Sequence, residues 1–308
     1  MNGTGKGELF LENYKDLKFP KKVIARELAR KLVLDTVSLS YNLTGAINRW
    51  CKKPRIQFLY IHHIFKDEEA LLRRLVEKLQ EHHTFISHSE AVNRILTGNI
   101  DKPYVVVSSD DGLKNNLRAA TILSEYNISA CFFICPSIIG ETGIEKIKAF
   151  SANQLHLPPV EFMNWNDVEK LQTLGHEIGG HTMSHVNLAK CKNPLLTEEI
   201  GNCYLEVKKH CGSAMHFAYP YGRYHHFTAE AKGIVFSSGF ETCASAERGC
   251  HIASPGSIEK NDLFLRRDHI ILTWPIEHIL FFMARNAQKA TIQNNYSPYD
   301  EDYNINKQ

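Results

Sequence analysis

The sequence predicts an α/β fold, a parallel (β/α) barrel preceded by a helical extension. From residue 56 onward, short apolar or β-branched runs alternate with segments of helical periodicity. Repeated βα units imply a parallel sheet. About seven such units favour closure into a barrel over an open sheet. With 308 residues, 43% of them hydrophobic, the chain is long enough for one large core and an extension.

The first units of the barrel have the clearest patterns. A strand is predicted over 56–64, and an amphipathic helix with leucines on one face over 68–81. A second strand follows over 104–109, then a helix over 113–126 and a third strand over 130–135. The last two strands are apolar and β-branched runs, as expected where both faces of a parallel sheet are covered.

The second half of the predicted barrel is less regular. Residues 136–163 contain Gly and Pro without a clear period, which predicts a long loop or insertion. The remaining predicted elements are a helix capped by Asn164 or Asn166 and ending at Leu174, a strand over 176–180, a helix from Thr197 to His210, strands over 215–220, 240–245 and 263–272, and a helix over 276–288.

The chain divides into three predicted parts: a helical extension over 1–54, the barrel over 55–292 and a polar tail over 293–308. Residues 20–50 alternate basic and apolar positions at helical spacing. Such a helix either contacts a membrane surface peripherally or packs on the barrel with its basic side in solvent. The polar and acidic tail is expected to be poorly ordered.

Composition and charge exclude several classes of protein. The formal net charge is +2 with no basic run, so the sequence predicts no nucleic-acid partner. No stretch approaches the length of an uncharged transmembrane segment. Residues 1–7 lack the apolar core of a secretory signal. The expected location is therefore cytoplasmic, with peripheral membrane contact through residues 20–50 as the open alternative.

Two acidic residues follow the predicted strand over 104–109, at the edge where parallel barrels carry function. Asp110 and Asp111 are adjacent and are followed by Gly112, which permits a sharp turn. Neighbouring carboxylates require a cation or a proton to relieve their repulsion. Asp-Asp-Gly is also common in surface turns, so this motif by itself is weak.

A histidine pair follows a later predicted strand. His181 and His185 are four positions apart, so one helical turn would place both imidazoles on the same side. Two imidazoles and one carboxylate leave positions on a metal ion open for water and substrate. Pairs at this spacing are usually incidental, but this one and the carboxylate pair both follow strands. A third segment, residues 217–222, is an apolar strand that ends in a rigid aromatic turn.

Taken in order, these segments resemble the motifs of the polysaccharide deacetylase family, the NodB-homology carbohydrate esterases of family four. The likeness spans residues 56–275 in motif order. The matching segments are Ser109-Asp110-Asp111-Gly112, Gly175-His176-Glu177-Ile178-Gly179-Gly180-His181-Thr182-Met183-Ser184-His185 and Phe217-Ala218-Tyr219-Pro220-Tyr221-Gly222.

The resemblance implies a deformed parallel (β/α) barrel and a metal-dependent hydrolase that cleaves the linear amide bond of an N-acylated amino sugar. Acetyl is the usual acyl group, and zinc is the common divalent metal. The expected substrate is an amino sugar of a cell-envelope glycan or of its precursor. The basic amphipathic leader and the expected lack of a secretory signal are compatible with a lipid-linked or nucleotide-linked precursor.

The resemblance also implies a role for each matching residue. Asp111, His181 and His185 match the metal ligands. Asp110 matches the general base, which takes a proton from the attacking water. The backbone N–H of Tyr221 matches a donor to the developing oxyanion.

Three histidines are candidates for the general acid that protonates the leaving amine. Residues 59–64 (Leu-Tyr-Ile-His-His-Ile) resemble the first strand of a circularly permuted branch, in which a Tyr-His-x-Val-like strand end supplies the catalytic histidine. His62 aligns with that histidine and is favoured over His63. His269 is the third candidate, because family members often supply the acid from a histidine near the C-terminus.

Two positions depart from the family pattern. Ser109 stands where Phe usually precedes the acidic pair, and Ala218 stands where many members carry an arginine that orients the base. Arg267, on a later predicted strand, is the hypothesised replacement. An impaired barrel that binds glycan without hydrolysing it therefore remains an alternative. Non-haem iron oxygenases also use two His and one carboxylate, but the βα alternation disfavours their antiparallel barrel.

Overall fold

The computed structural model describes residues 10–254, 256 and 258–299. Predictions for residues 1–9 and 300–308, including the expected lack of a secretory signal and the end of the tail, lie outside the described residues. In chain order, the α-helices and strands are α1 (Lys21–Leu43), α2 (Ala46–Cys51), β1 (Arg55–Ile61), α3 (Glu69–Gln80), β2 (Thr84–Phe85), α4 (His88–Leu96), β3 (Pro103–Ser109), α5 (Asn116–Glu125), β4 (Ala130–Ile134), α6 (Ile144–Phe150), α7 (Trp165–Thr173), β5 (Glu177–Gly180), α8 (Leu195–Cys211), β6 (His216–Ala218), α9 (Ala229–Ser238), β7 (Thr242–Ala244), β8 (Phe264–Leu265), β9 (Arg267–His269) and α10 (Ile276–Lys289).

The strands form one parallel sheet that nearly closes into a barrel. Their order is β8-β7-β6-β5-β4-β3-β1-β9, and β2 pairs with the start of β3. Only Arg266 separates β8 from β9. Residues 264–269 therefore act as one interrupted strand, which pairs with β7 at its first end and with β1 at its second. The predicted parallel (β/α) barrel is confirmed.

Alternation along the strands separates two apolar layers, because successive side chains of a strand point to opposite faces. Phe58, Val106 and Phe133 belong to the layer inside the barrel, and the buried face of α4 packs against this layer. Leu59 and Phe132 belong to the other layer, which packs against the surrounding helices. Polar residues on the inward face at the carboxyl ends of the strands therefore lie above an apolar floor.

The segment 136–163, predicted as a loop or insertion, contains regular structure. It includes α6 and a π-helical turn over Ser151–Leu155. Ile147, Val160 and Phe162 are buried in a small apolar cluster outside the barrel. The helix here has only seven residues, and its cluster also includes Phe65 and Leu113 from outside the segment, which explains why no long helical period marks it in the sequence.

Of the two helix starts predicted from capping residues, that of α7 is confirmed and that of α8 is wrong. α7 begins after Asn164, whose side chain accepts a hydrogen bond from the N–H of Asp167, as predicted. The prediction that Thr197 caps the next helix is wrong. α8 begins at Leu195, and the Thr197 hydroxyl lies inside its first turn, where it donates to Asn193 Oδ1 at 2.7 Å.

The N-terminal helices pack on α10. Ile47 and Cys51 of α2 are buried against Ala284. Of the apolar residues in α1, which the structure describes throughout, Leu34 alone is buried. Tyr41 of α1 adds an edge-on ring contact with the last helix. None of the helices in the described part of the chain has the length and apolar content needed to cross a bilayer.

The first residues of the predicted tail belong to the fold. Asn295 and Ser297 are fully buried. Asn295 Nδ2 donates to the carbonyl of Ile252 at 2.8 Å. The expectation of poor order is therefore wrong for residues 294–299, while the domain boundaries at 54/55 and 292/293 stay predictions.

Buried His251 predicts a loss of stability in acid. Burial lowers its pKa to about 3. The backbone N–H of Arg266 donates to His251 Nε2 at 3.0 Å, and Asn295 Oδ1 lies 3.0 Å from Nδ1, so the neutral ring has a partner on each side. The ordinary pKa of an unfolded histidine is about 6.5, so the unfolded state binds the proton first as the pH falls.

We therefore expect this residue to reduce the free energy of unfolding by about 2 kcal/mol between pH 7.5 and pH 5. Urea denaturation at the two pH values measures the change. A His251→Gln variant should show a smaller difference between them, and an equal difference would contradict this role.

Candidate metal and catalytic site

The carboxyl ends of β3 and β5 bring the three predicted metal ligands together. Asp111 Oδ1 lies 3.5 Å from His181 Nε2 and 3.3 Å from His185 Nε2. All three residues are buried, and one ligand atom from each lies within 4.8 Å of the others. In the described part of the chain, this is the one cluster of three or more His, Cys, Asp or Glu arranged to hold a metal ion.

The two imidazoles converge through a turn, so the helical geometry predicted from their spacing is wrong. Thr182 and His185 have φ values of 60° and 59°, in the left-handed region. Glu199 of α8 supports this turn, because its carboxylate accepts hydrogen bonds from Ser184 N at 2.9 Å and Ser184 Oγ at 2.5 Å. Sequence reasoning missed Glu199, since no motif links it to the histidines.

The cluster fits a divalent metal ion. His181 Nδ1 donates to the carbonyl of Ala218 at 2.6 Å, which leaves Nε2 as the ligand atom. Asp111 Oδ1 is buried, and no donor among the described residues hydrogen-bonds to it. Two atoms bound to a tetrahedral ion at about 2.1 Å are about 3.4 Å apart, close to the measured N···O distances.

The charge state of Asp111 agrees with this fit. Burial alone would raise the pKa of the carboxyl group, but His181 and His185 hold this pKa well below its ordinary value. The carboxylate is therefore charged at neutral pH, as a metal ligand must be.

Arg267 holds Asp110 in place. Its two terminal nitrogens donate to Asp110 Oδ1 and Oδ2 at 2.7 and 2.9 Å, and both residues are buried. Arg267 also donates to Ser108 Oγ at 3.2 Å and lies over the ring of Tyr60. The guanidinium is thus fixed in a bidentate geometry that matches the hypothesised replacement of the arginine missing at Ala218.

The three histidine candidates for the general acid lie in one cavity. His62 Nδ1 and His269 Nε2 are 3.0 Å apart, so these two rings form a hydrogen-bonded pair. His63 instead lies 3.1 Å from Glu68. Burial lowers the pKa of His62, an effect that the carboxylate of Asp111 opposes. Considered one at a time in the sequence, the histidines gave no sign of this pairing.

Tyr221 lies beside the cluster. Its ring contacts that of His185 with centroids 5.1 Å apart, and its backbone has φ 63°. The next residue must be Gly222, because a Cβ there would lie 2.3 Å from Ala246 Cβ and the φ of 64° is left-handed. The aromatic turn predicted from the sequence therefore places the Tyr221 backbone at the edge of the site.

A cavity of about 470 Å³ covers the site. Two segments outside the barrel strands supply much of its wall, namely residues 14–20 and residues 154–158. The backbone N–H groups of Tyr14 and Lys15 donate to the Asp67 carboxylate at 2.7 and 3.2 Å, which anchors the first segment. Neither segment carries a motif, so their place in the wall of the site could not be predicted.

Known proteins share this architecture. Residues 97–234 match the family model for polysaccharide deacetylase. The match covers 138 of the 308 residues. The resemblance seen in the motifs is thus confirmed. Membership of the circularly permuted branch stays a prediction. No curated protein sequence matches the chain.

Similar solved structures support the barrel fold. IcaB from Ammonifex degensii aligns with a TM-score of 0.58 and 19% identity over 77% of this chain and 98% of that chain. The Streptococcus pyogenes deacetylase PplD, solved in complex with acetate, gives 0.57 and 18% over 75% and 98%. A de-N-acetylase from Aggregatibacter actinomycetemcomitans gives 0.58 and 17% over 74% and 99%. At these identities the likeness shows the fold.

Proposed function

We propose that this protein is a divalent-metal-dependent hydrolase that removes an N-acyl group, in the first instance acetyl, from an amino sugar. The observation that carries the proposal is the buried cluster of Asp111, His181 and His185 next to Asp110, which Arg267 orients. A metal site and a fixed carboxylate in one cavity are the parts that hydrolysis of an amide requires.

Asp111, His181 and His185 would hold the ion, and two imidazoles with one carboxylate are a ligand set typical of catalytic zinc. When bound, the ion polarises the amide carbonyl and lowers the pKa of a bound water. The tautomer of His181 is already set for this task by its bond to the Ala218 carbonyl.

Asp110 acts as the general base and accepts a proton from the attacking water. Arg267 donates to both of its oxygens, which restricts the rotation of the carboxylate. Each oxygen retains a lone pair that can accept the proton. The backbone N–H of Tyr221 is the proposed donor to the oxyanion.

His62 acts as the general acid and protonates the departing amine. In its protonated form, Nδ1–H donates to His269 Nε2, which leaves Nε2–H for the amine nitrogen. His269 therefore serves as the positioning partner. His63 is the weaker candidate, because its Nδ1 is already paired with buried Glu68.

The proposed substrate is the N-acylated amino sugar of a cell-envelope glycan or of its precursor. A cavity of about 470 Å³ has room for a sugar ring with its acyl group. The similarity to a deacetylase solved with acetate and to a de-N-acetylase supports an N-acetyl group. Nothing in the charge of the chain points to nucleic acid as a partner.

A barrel that binds glycan without hydrolysing it is the second candidate, because Ala218 replaces the usual arginine. The bidentate contact of Arg267 with Asp110 favours the enzyme. The parallel barrel disfavours a non-haem iron oxygenase.

Acetate release from a panel of N-acetylated sugars and oligosaccharides tests the proposed function. We expect release by zinc-loaded protein, and none after treatment with a chelator. Activity in air-free buffer without a reductant should be unchanged, since hydrolysis needs no oxygen. Full activity in the chelator would contradict the metal role. Stoichiometric metal binding without release across the panel would favour the glycan-binding barrel.

A further inference from the structure

Helix α1 presents an apolar surface that the rest of the described chain leaves open. Of the twelve large hydrophobic residues exposed in the described part of the chain, seven lie between residues 19 and 43. Five of them share about 100° of the helix circumference, at 3.6 residues per turn. They are Ile24, Leu28, Leu32, Leu39 and Leu43, with exposed fractions from 48% to 80%, and we call them the α1 stripe.

Another side of α1 fixes the helix to the barrel. Leu34 is buried, and Tyr41 contacts Phe281 of α10 with ring centroids 4.8 Å apart. The Arg30 guanidinium lies 3.9 Å from the ring centroid of Trp274. The helix is therefore held in a fixed orientation with the α1 stripe facing solvent. The exposed apolar residues in the rest of the described chain do not form such a row.

Basic residues surround the start of the α1 stripe. Residues 10–31 contain seven basic and three acidic side chains. Asp35 lies within the arc of the stripe, where its carboxylate is paired with Lys31 at 2.7 Å and with His278 at 2.8 Å. An apolar row beside exposed basic residues is typical of helices that lie in the headgroup region of an anionic bilayer. The exposed basic residues are Lys15, Lys18, Lys21, Lys22, Arg26 and Lys31.

The active-site cavity opens next to the α1 stripe. Phe19 and Pro20 line the cavity and directly precede α1, and Phe19 is itself 45% exposed. Leu17 and Leu272 extend the apolar part of the same wall. A surface that covers the start of α1 would therefore lie close to the entrance of the cavity.

We propose that the α1 stripe lies in the headgroup region of an anionic lipid bilayer, and that the enzyme takes its N-acylated amino sugar from that surface. Lipid is the better occupant than a second copy of the chain, because anionic headgroups neutralise the basic residues whereas another α1 lying parallel would repel them. The first claim, that the α1 stripe binds lipid, is the docking half and is independent of the proposed function. The second claim, that the substrate comes from the bilayer surface, is the substrate half and rests on the proposed function.

Cosedimentation with vesicles tests the docking half. The full chain is mixed with vesicles of phosphatidylcholine alone or of phosphatidylcholine with phosphatidylglycerol. We expect the wild type to bind the anionic vesicles. Binding by a Leu28→Glu/Leu32→Glu variant should be at least about tenfold weaker. Leu205→Glu is the matched control, because Leu205 of α8 is 60% exposed and lies outside the stripe. All three proteins should melt at the same temperature, since the replaced side chains are in solvent.

Binding of the double variant equal to that of the wild type would overturn the docking surface. A wild type that ignores vesicles but forms a dimer, which the double variant dissociates in light scattering, would assign the stripe to a second copy. Neither assay contains substrate, so failure here is distinguishable from failure of the deacetylase proposal.

The substrate half is tested by acetate release from two N-acetylglucosamine probes, a glycolipid embedded in anionic vesicles and a soluble oligosaccharide. We expect the double variant to lose at least about tenfold in rate on the embedded probe, in line with its lost binding, and to keep its rate on the soluble one. Equal rates of wild type and variant on the embedded probe would overturn this half.

Discussion

Replacing Asp110 with asparagine is expected to lower kcat for acetate release by roughly 10²- to 10⁴-fold, the usual contribution of a general base. KM should change little, because Asn has nearly the same volume and the metal ligands are untouched. Steady-state kinetics on the zinc-loaded variant measures the effect. The same substitution leaves the buried Arg267 without its counter-charge, so we also expect the free energy of unfolding to fall by about 3 kcal/mol.

Variants of Arg267 separate its positioning role from a purely structural one. Arg267→Lys keeps the charge but loses the bidentate geometry, so kcat should fall by up to roughly 100-fold with KM preserved. In Arg267→Ala, kcat should fall further, because the Asp110 carboxylate loses both hydrogen bonds that fix its orientation. Full activity in Arg267→Ala together with an inactive Asp110→Asn variant would reject the positioning role and retain the base.

Removing a metal ligand is expected to abolish both activity and the stabilisation that the metal gives. At a free zinc concentration of 100 times the Kd, binding stabilises the folded protein by about 2.7 kcal/mol. Zinc should therefore raise the melting temperature of the wild type. Asp111→Ala and His181→Ala should lose this response, since each removes one of three ligands. Calorimetric titration with zinc and thermal melts measure it without relying on activity.

His82→Ala is the matched control for these substitutions. His82 is exposed and stands apart from the cluster of ligands. Its variant should bind zinc and melt as the wild type does. A wild-type response to zinc in the Asp111→Ala variant would show that the ion binds elsewhere, which would contradict the site.

Much of the fold was predictable because its signals are local. The strand at 104–109 is a β-branched run, and α7 carries its own cap at Asn164. Where the physical cause is distant, prediction failed. The helix in 136–163 packs in a small cluster that includes Phe65 and Leu113 from outside the segment. The turn that carries the imidazoles depends on Glu199, fifteen residues downstream of Ser184.

The residues of the site likewise divide into those with a local signal in the sequence and those brought together by distant strands. Motif order brought Asp110, Asp111 and the two histidines to one edge of the sheet, and the structure does place them together. The pairing of His62 with His269 spans 207 residues and arises from the pairing of β1 with β9. Arg267 meets Asp110 because one interrupted strand closes the barrel, a feature that local periodicity does not encode.

Titration of metal-free protein with zinc, with acetate release followed at each addition, tests whether one ion held by Asp111, His181 and His185 works together with Asp110. The rate is predicted to rise in proportion to added zinc and to level off at one ion per chain, with no such rise in the Asp110→Asn variant. Release at full rate before any zinc is added, or by the Asp110→Asn variant at one bound ion, would contradict the account.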